Sequence, residues 1–143
     1  MTVIFVRHGE KAKGDPRDPS LSPAGAARAA AVATTLRAAG VTHLFASEYR
    51  RTQATLRPLA AASGLAVATI AASDGAALLT ALRGLPPGSV AVVAGHSNTL
   101  PGLIRGLAGA APVDIDEDEF DRMFVVVVPA AGPARVLELR YGA

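Results

Sequence analysis

The chain contains no cysteine. Disulfides, thiolate catalysis and cysteine-based metal sites are therefore excluded. It also lacks tryptophan and has only four phenylalanines and two tyrosines, so alanine, valine and leucine must fill most of a core. No apolar run approaches the length of a membrane span. Met1 to Val6 is apolar but short, has no basic leader and is followed at once by Arg7 and His8, which does not read as a signal peptide. The expectation is a cytoplasmic protein with no membrane partner. A strong charge of either sign is missing too. The net charge of +2 is too weak a balance to imply nucleic-acid binding. There is no internal repeat and no dividing linker, and 143 residues suit one domain, residues 1–143.

What is present is an alternation of short β runs and helical stretches. Val3 to Val6 reads as a strand buried on both faces. Ser22-Pro23 opens a helix with a capping hydroxyl and a proline in the first turn, and Gly40 supplies a stop. His43 to Ala46 is a second strand, followed by a helix from about Tyr49 to Ser63 that Gly64 closes. Ala66 to Ala71 is a third strand, and Asp74 can cap a helix running to Arg83. Val90 to Ala94 is the clearest buried strand, with a helix from Asn98 or Thr99 to Gly109. An acidic segment, Asp114 to Asp121, reads as a solvated loop leading to two apolar runs, Met123 to Val128 and Ala134 to Tyr141, joined by a turn. The pattern predicts an α/β fold: a three-layer α/β/α arrangement with a mainly parallel central sheet and an antiparallel C-terminal hairpin or edge strand.

Polar residues cluster where the first four strands end. Arg7-His8-Gly9-Glu10 follows the first strand, Ser47, Arg50 and Arg51 the second, Asp74 the third, and Gly95-His96-Ser97-Asn98 the fourth. In an open parallel sheet all four segments emerge at the carboxyl edge, where ligands bind. Two histidines and several arginines converging there suit phosphoryl transfer. A neutral imidazole can attack phosphorus, and nearby arginines disfavour its protonated form. Guanidinium groups hold phosphate oxygens bidentately and stabilise charge in the transition state. Gly9 allows close backbone approach to a ligand, and amides at a helix start near Asn98 favour an anion.

These residues resemble the histidine phosphatase superfamily, also called phosphoglycerate mutase-like. Its Arg-His-Gly hallmark is similar to Arg7-His8-Gly9-Glu10, and its Ser-to-Arg segment followed by Thr and Gln is similar to Ser47 through Thr55. Its histidine after the fourth strand is matched by His96 in Val92 to Thr99, and Leu21 to Gly25 resembles the family's helix opening. The resemblance implies that His8 is a phosphorylated nucleophile, that Arg7 and Arg50 hold the phosphoryl group, and that His96 stabilises it from the opposite side. Gly9, Glu10, Ser47, Arg51, Ser97 and Asn98 are the remaining substrate-binding candidates. The short length is most like the phosphohistidine phosphatase branch, with no cofactor and no metal implied. Gly14 stands where mutases and many relatives carry asparagine. The acidic partner is open among Asp74, Glu10, Asp15 and Asp18.

Other readings compete with these. His43 starts a strand outside any motif and reads as surface or packing, and Lys11 and Lys13 as solvated loop cations. Asp74 can be a helix cap and nothing more. Asp114 to Asp121 lacks the spacing and glycine of a calcium loop. Three functions remain: a phosphatase acting on a phosphate monoester or a phosphohistidine protein, a phosphomutase, and a non-catalytic module that binds phospho-ligands. Two histidines speak against the last. The lack of a covering segment speaks against a mutase, which must shield its intermediate from water.

Overall fold

The computed structural model describes residues 1–110 and 114–142. Its elements follow the chain as β1 (Thr2–Arg7), α1 (Pro23–Leu36), β2 (His43–Ala46), α2 (Arg50–Ser63), β3 (Val67–Thr69), α3 (Gly75–Arg83), β4 (Val90–Gly95), α4 (Leu100–Ala108), β5 (Arg122–Val127) and β6 (Arg135–Arg140). They build a six-stranded sheet in the order β3-β2-β4-β1-β5-β6. The first four strands are parallel; on the β1 side β5 pairs antiparallel with β1, and β6 pairs antiparallel with β5.

Alternation along the buried strands divides the core in two, as the period of two in a strand requires. Val3 and Phe5 of β1 point to one face with Ala91 and Val93 of β4, where Leu78 and Leu82 of α3 and Leu100, Leu103 and Ile104 of α4 cover them. Ile4 and Val6 point the other way with Val92 and Ala94, under Val32 and Leu36 of α1 and Leu56 and Leu59 of α2. This is the expected α/β/α layering with a mostly parallel sheet and an antiparallel edge.

Local signals set the element ends. The Ser22 hydroxyl accepts from Gly25 N and Asp74 accepts from Ala77 N, each satisfying an otherwise orphaned amide in a helix's first turn. Gly64 closes α2 in the left-handed conformation, which costs glycine no Cβ strain. β3 is shorter than expected, only three residues paired with β2 alone. It is an edge strand with exposed Ala68 and Thr69, so little burial holds Ala66 or Ala71 in the ladder.

Candidate active site

His8 leaves the end of β1, and its backbone amide donates to Gly95 O of β4 at 2.9 Å, tying the two central strands together beyond their ladder. Its ring is buried, with Nδ1 2.7 Å from Gly9 O. A carbonyl oxygen can only accept, so Nδ1 carries the proton and Nε2 keeps its lone pair. Burial, above all, together with the charges of Arg7, His96 and Arg51, lowers the His8 pKa to about 3, although the bond to Gly9 opposes this. The imidazole is neutral across the physiological range. The loop that carries it is held by a bond from Gly9 N to Thr55 Oγ1 at 2.8 Å, and Thr55 in turn donates to Arg51 O.

His96 follows β4 and faces His8, with ring centroids 5.3 Å apart. Its Nε2 lies 2.8 Å from Ser47 Oγ, which lies 2.7 Å from Thr52 Oγ1. Protons in this row can run either way, so His96 can offer an N–H or a lone pair at Nδ1 while staying neutral. Burial and the Arg51 charge push its pKa down to about 4 against the opposing pull of Glu48.

An aromatic ring carrying an arginine stands beside each histidine. Phe120 lies edge-on to His8, and the Arg7 guanidinium stacks on it at 4.0 Å. Tyr49 lies edge-on to His96, and the Arg51 guanidinium stacks on it at 4.4 Å. Both arginines keep a buried Nε without a hydrogen-bond partner among the described residues. Arg7 Nη1 is gripped by the carbonyls of Asp116, Glu117 and Glu119 at 2.8–3.1 Å. The acidic segment is therefore more than the solvated loop its composition suggests. Its backbone, not its carboxylates, holds Arg7.

The placement of the other candidates is uneven. Arg50 does not join Arg7: its backbone amide and guanidinium turn to Asp18, and it lies with Glu48, Gln53 and Arg57 on the exposed side of α2. The guanidinium beside the two histidines is that of Arg51. An i to i+4 relation marks this face, because Thr55 points the same way towards Gly9. Asn98 reaches the mouth of the site with Tyr49, Arg51 and Ser73. Ser97, next to it, is half-buried. Of the acidic candidates, Asp74 caps α3, Glu10 pairs with Arg28 at 3.1 Å, Asp15 closes a turn onto the amides of Arg17 and Asp18, and Asp18 holds the first amide of α2. The carboxylate whose charge reaches His96 is Glu48, and its bond from Ala72 N keeps it ionised. Tyr49, Thr52 and Thr55 lie in the Ser47-to-Thr55 segment but were given no role there, and Phe120 carried no motif. Lys11, Lys13 and Arg17 add positive charge along the rim that adjoins Arg51.

Comparison with known proteins bears on the family and the fold. The family model described as histidine phosphatase superfamily (branch 1) matches residues 3–73. No curated protein matches the chain in sequence. Among solved structures, a mycobacterial glucosyl-3-phosphoglycerate phosphatase superposes with a TM-score of 0.75 at 13% identity over 97% of both chains. The protein histidine phosphatase SixA complexed with tungstate gives 0.73 at 16% identity, over 98% of this chain and 97% of that one. A phosphoserine phosphatase from Entamoeba histolytica, in complex with 3-phosphoglyceric acid, gives 0.70 at 14% identity, over 99% and 96%. These likenesses are of fold.

Proposed function

Because the chain belongs to the histidine phosphatase superfamily, and is a phosphatase of that class, we propose that it hydrolyses phosphate groups through a phosphohistidine on His8, without a metal ion. The observation that carries this reading is the state of His8: a buried, neutral ring whose Nδ1 proton is committed to Gly9 O, whose Nε2 keeps its lone pair, and whose centroid lies 5.3 Å from that of a second histidine. Nε2 attacks phosphorus as the ester or phosphoamide bond to the leaving group breaks, giving an N–P bond. Positive charge then grows on the ring, and the Gly9 carbonyl at Nδ1 stabilises it. Water attacks the same phosphorus from the vacated side, the N–P bond breaks, and His8 returns to its starting form. Arg7 and Arg51 supply the charge that a metal supplies elsewhere, and His96 donates to the phosphoryl oxygens from Nδ1 when Ser47 donates to Nε2.

Expulsion of the leaving group has weaker support. None of Asp74, Glu10, Asp15 and Asp18 points at the histidines, and Glu48 is held as a base. A positioned general acid contributes about 10²–10⁴-fold. Substrates with good leaving groups, aryl phosphates and phosphohistidine, accordingly rank above simple alkyl phosphates. The reaction takes place in the cytoplasm, on a phosphorylated small molecule or a phosphohistidine protein. Acid-quenched enzyme should carry an acid-labile, base-stable phosphate, formed equally well in excess chelator and absent from His8→Ala. A phosphoenzyme that persists in that variant, or one that needs a divalent ion, contradicts the reading.

A further inference from the structure

Behind His96 lies a cavity of about 360 Å³, within the range of small-molecule sites, roughly 300–1,000 Å³. It opens between the carboxyl ends of β2 and β4, the segment after β3, and helices α3 and α4. Its apolar walls include Phe45, Ile70, Leu79, Val93 and Leu103, and among the described residues no lysine, arginine, aspartate or glutamate lines it. Small residues make the space: Ala46, Ala72, Gly75, Ala94 and Gly102 all stand on its boundary. A Cβ added at Gly102 would meet nothing within 4 Å. The polar groups of the cavity are gathered at one end, where Ser47, His96 and Thr99 sit.

That end is shared with the phosphoryl site. His96, Ala72 and Thr99 line both the cavity and the polar mouth formed by Tyr49, Arg51 and Asn98. His8 does not line it. In phosphoryl transfer the leaving group departs on the side of phosphorus opposite the nucleophile. His96 is the residue that borders both His8, at 5.3 Å between ring centroids, and the cavity. An apolar recess beginning there is matched to the body of the leaving group, while the arginines hold the phosphate.

We infer that this cavity binds the apolar part of the substrate, so that the substrates are phosphate esters of an apolar aromatic hydroxyl. The inference rests on the reading of His8 and His96 given above and narrows it from any good leaving group to an apolar one. Uncharged walls disfavour sugar and amino-acid alcohols, whose hydroxyls, amines and carboxylates would lose water without partners. Ser47 and Thr99 remain at the threshold, close to where the ester oxygen must lie.

Phenyl and 2-naphthyl phosphate test this, because their leaving groups are similar in acidity and differ in apolar size. The wild-type chain should favour the naphthyl ester in kcat/KM by about tenfold, the scale on which apolar pockets discriminate. Gly102→Leu, which fills the cavity from α4, should bring that ratio close to one. Gly102→Ala, which favours the helix and so keeps the fold, should reduce it in part. Binding of 2-naphthol itself, read from its fluorescence in a chain without tryptophan, should be saturable and weaker in both variants. Equal use of the two esters, an unchanged ratio in the variants, or no naphthol binding overturns the inference. If acetyl phosphate still phosphorylates His8 in that case, the histidine chemistry stands without the apolar site. Self-association through the cleft, seen as a mass that rises with concentration while naphthol fails to bind, also overturns it.

Discussion

Arg50 and Arg51 are neighbours in the first turn of α2, yet one faces Asp18 and solvent while the other stacks on Tyr49 beside both histidines. Arg51→Ala should lower kcat/KM by about 10²–10³-fold, as removing a transition-state donor does. Arg50→Ala should change it by no more than about twofold, as surface substitutions do. Steady-state kinetics on the purified variants decides between them. Motif resemblance located this pair but not the register within the helix. Which arginine faces the site depends on where Tyr49 ends the extended backbone, a tertiary matter that spacing left open. The histidines were legible because each ends a plainly buried strand. Their shared burial also sets a pH dependence. Both titrate in the fold at about 3 and about 4, below the usual 6.5. The unfolded chain therefore binds more protons once pH falls below about 6.5. Their contribution to stability is complete above that pH and shrinks as pH falls towards the folded values, by up to ~1.4 kcal/mol per pH unit for each ring. Urea denaturation at several pH values should show this slope, and His8→Gln and His96→Gln should each flatten it.

At the scale of elements, the nucleophile depends on how closely two loops and a helix can approach. A Cβ on Gly25 would lie 2.2 Å from Glu10 O, and one on Gly9 would lie 2.8 Å from Gly25 O. The start of α1 is thus seated on the loop that carries His8, and only glycine fits on either side. Gly25→Ala should cost about 1–3 kcal/mol as an overpacking change and reduce turnover by displacing that loop. Thermal denaturation together with phosphoenzyme yield measures both effects. An unchanged melting temperature would mean that the loop yields freely. The helix caps, the strands and the closing glycine of α2 could be read in advance because their signals are local. The Gly9–Gly25 contact could not, since its two halves belong to different elements. The same holds for the grip on Arg7, made by main-chain carbonyls whose position no side-chain pattern encodes.

For the whole molecule the sheet order matters most. β1 is central, paired with β4 on one side and β5 on the other, and the Met1 amino group donates to Val128 O beside β5. Translation therefore delivers this inner strand well before its second partner, residues 122–127. Until then one flank of an apolar strand stays open to wrong pairings, which makes the nascent chain a natural client for holding factors. Ribosome-arrested chains extended by a flexible linker should be protease-sensitive when they stop at residue 110 and resistant when they reach residue 142. Resistance in the shorter chain would show that β1 settles without β5. The separation is also a form of timing control. His8 is synthesised well ahead of Phe120 and the carbonyls that fix Arg7, which come more than a hundred residues later. No chain that stops short of Phe120 can assemble the complete phosphate cradle.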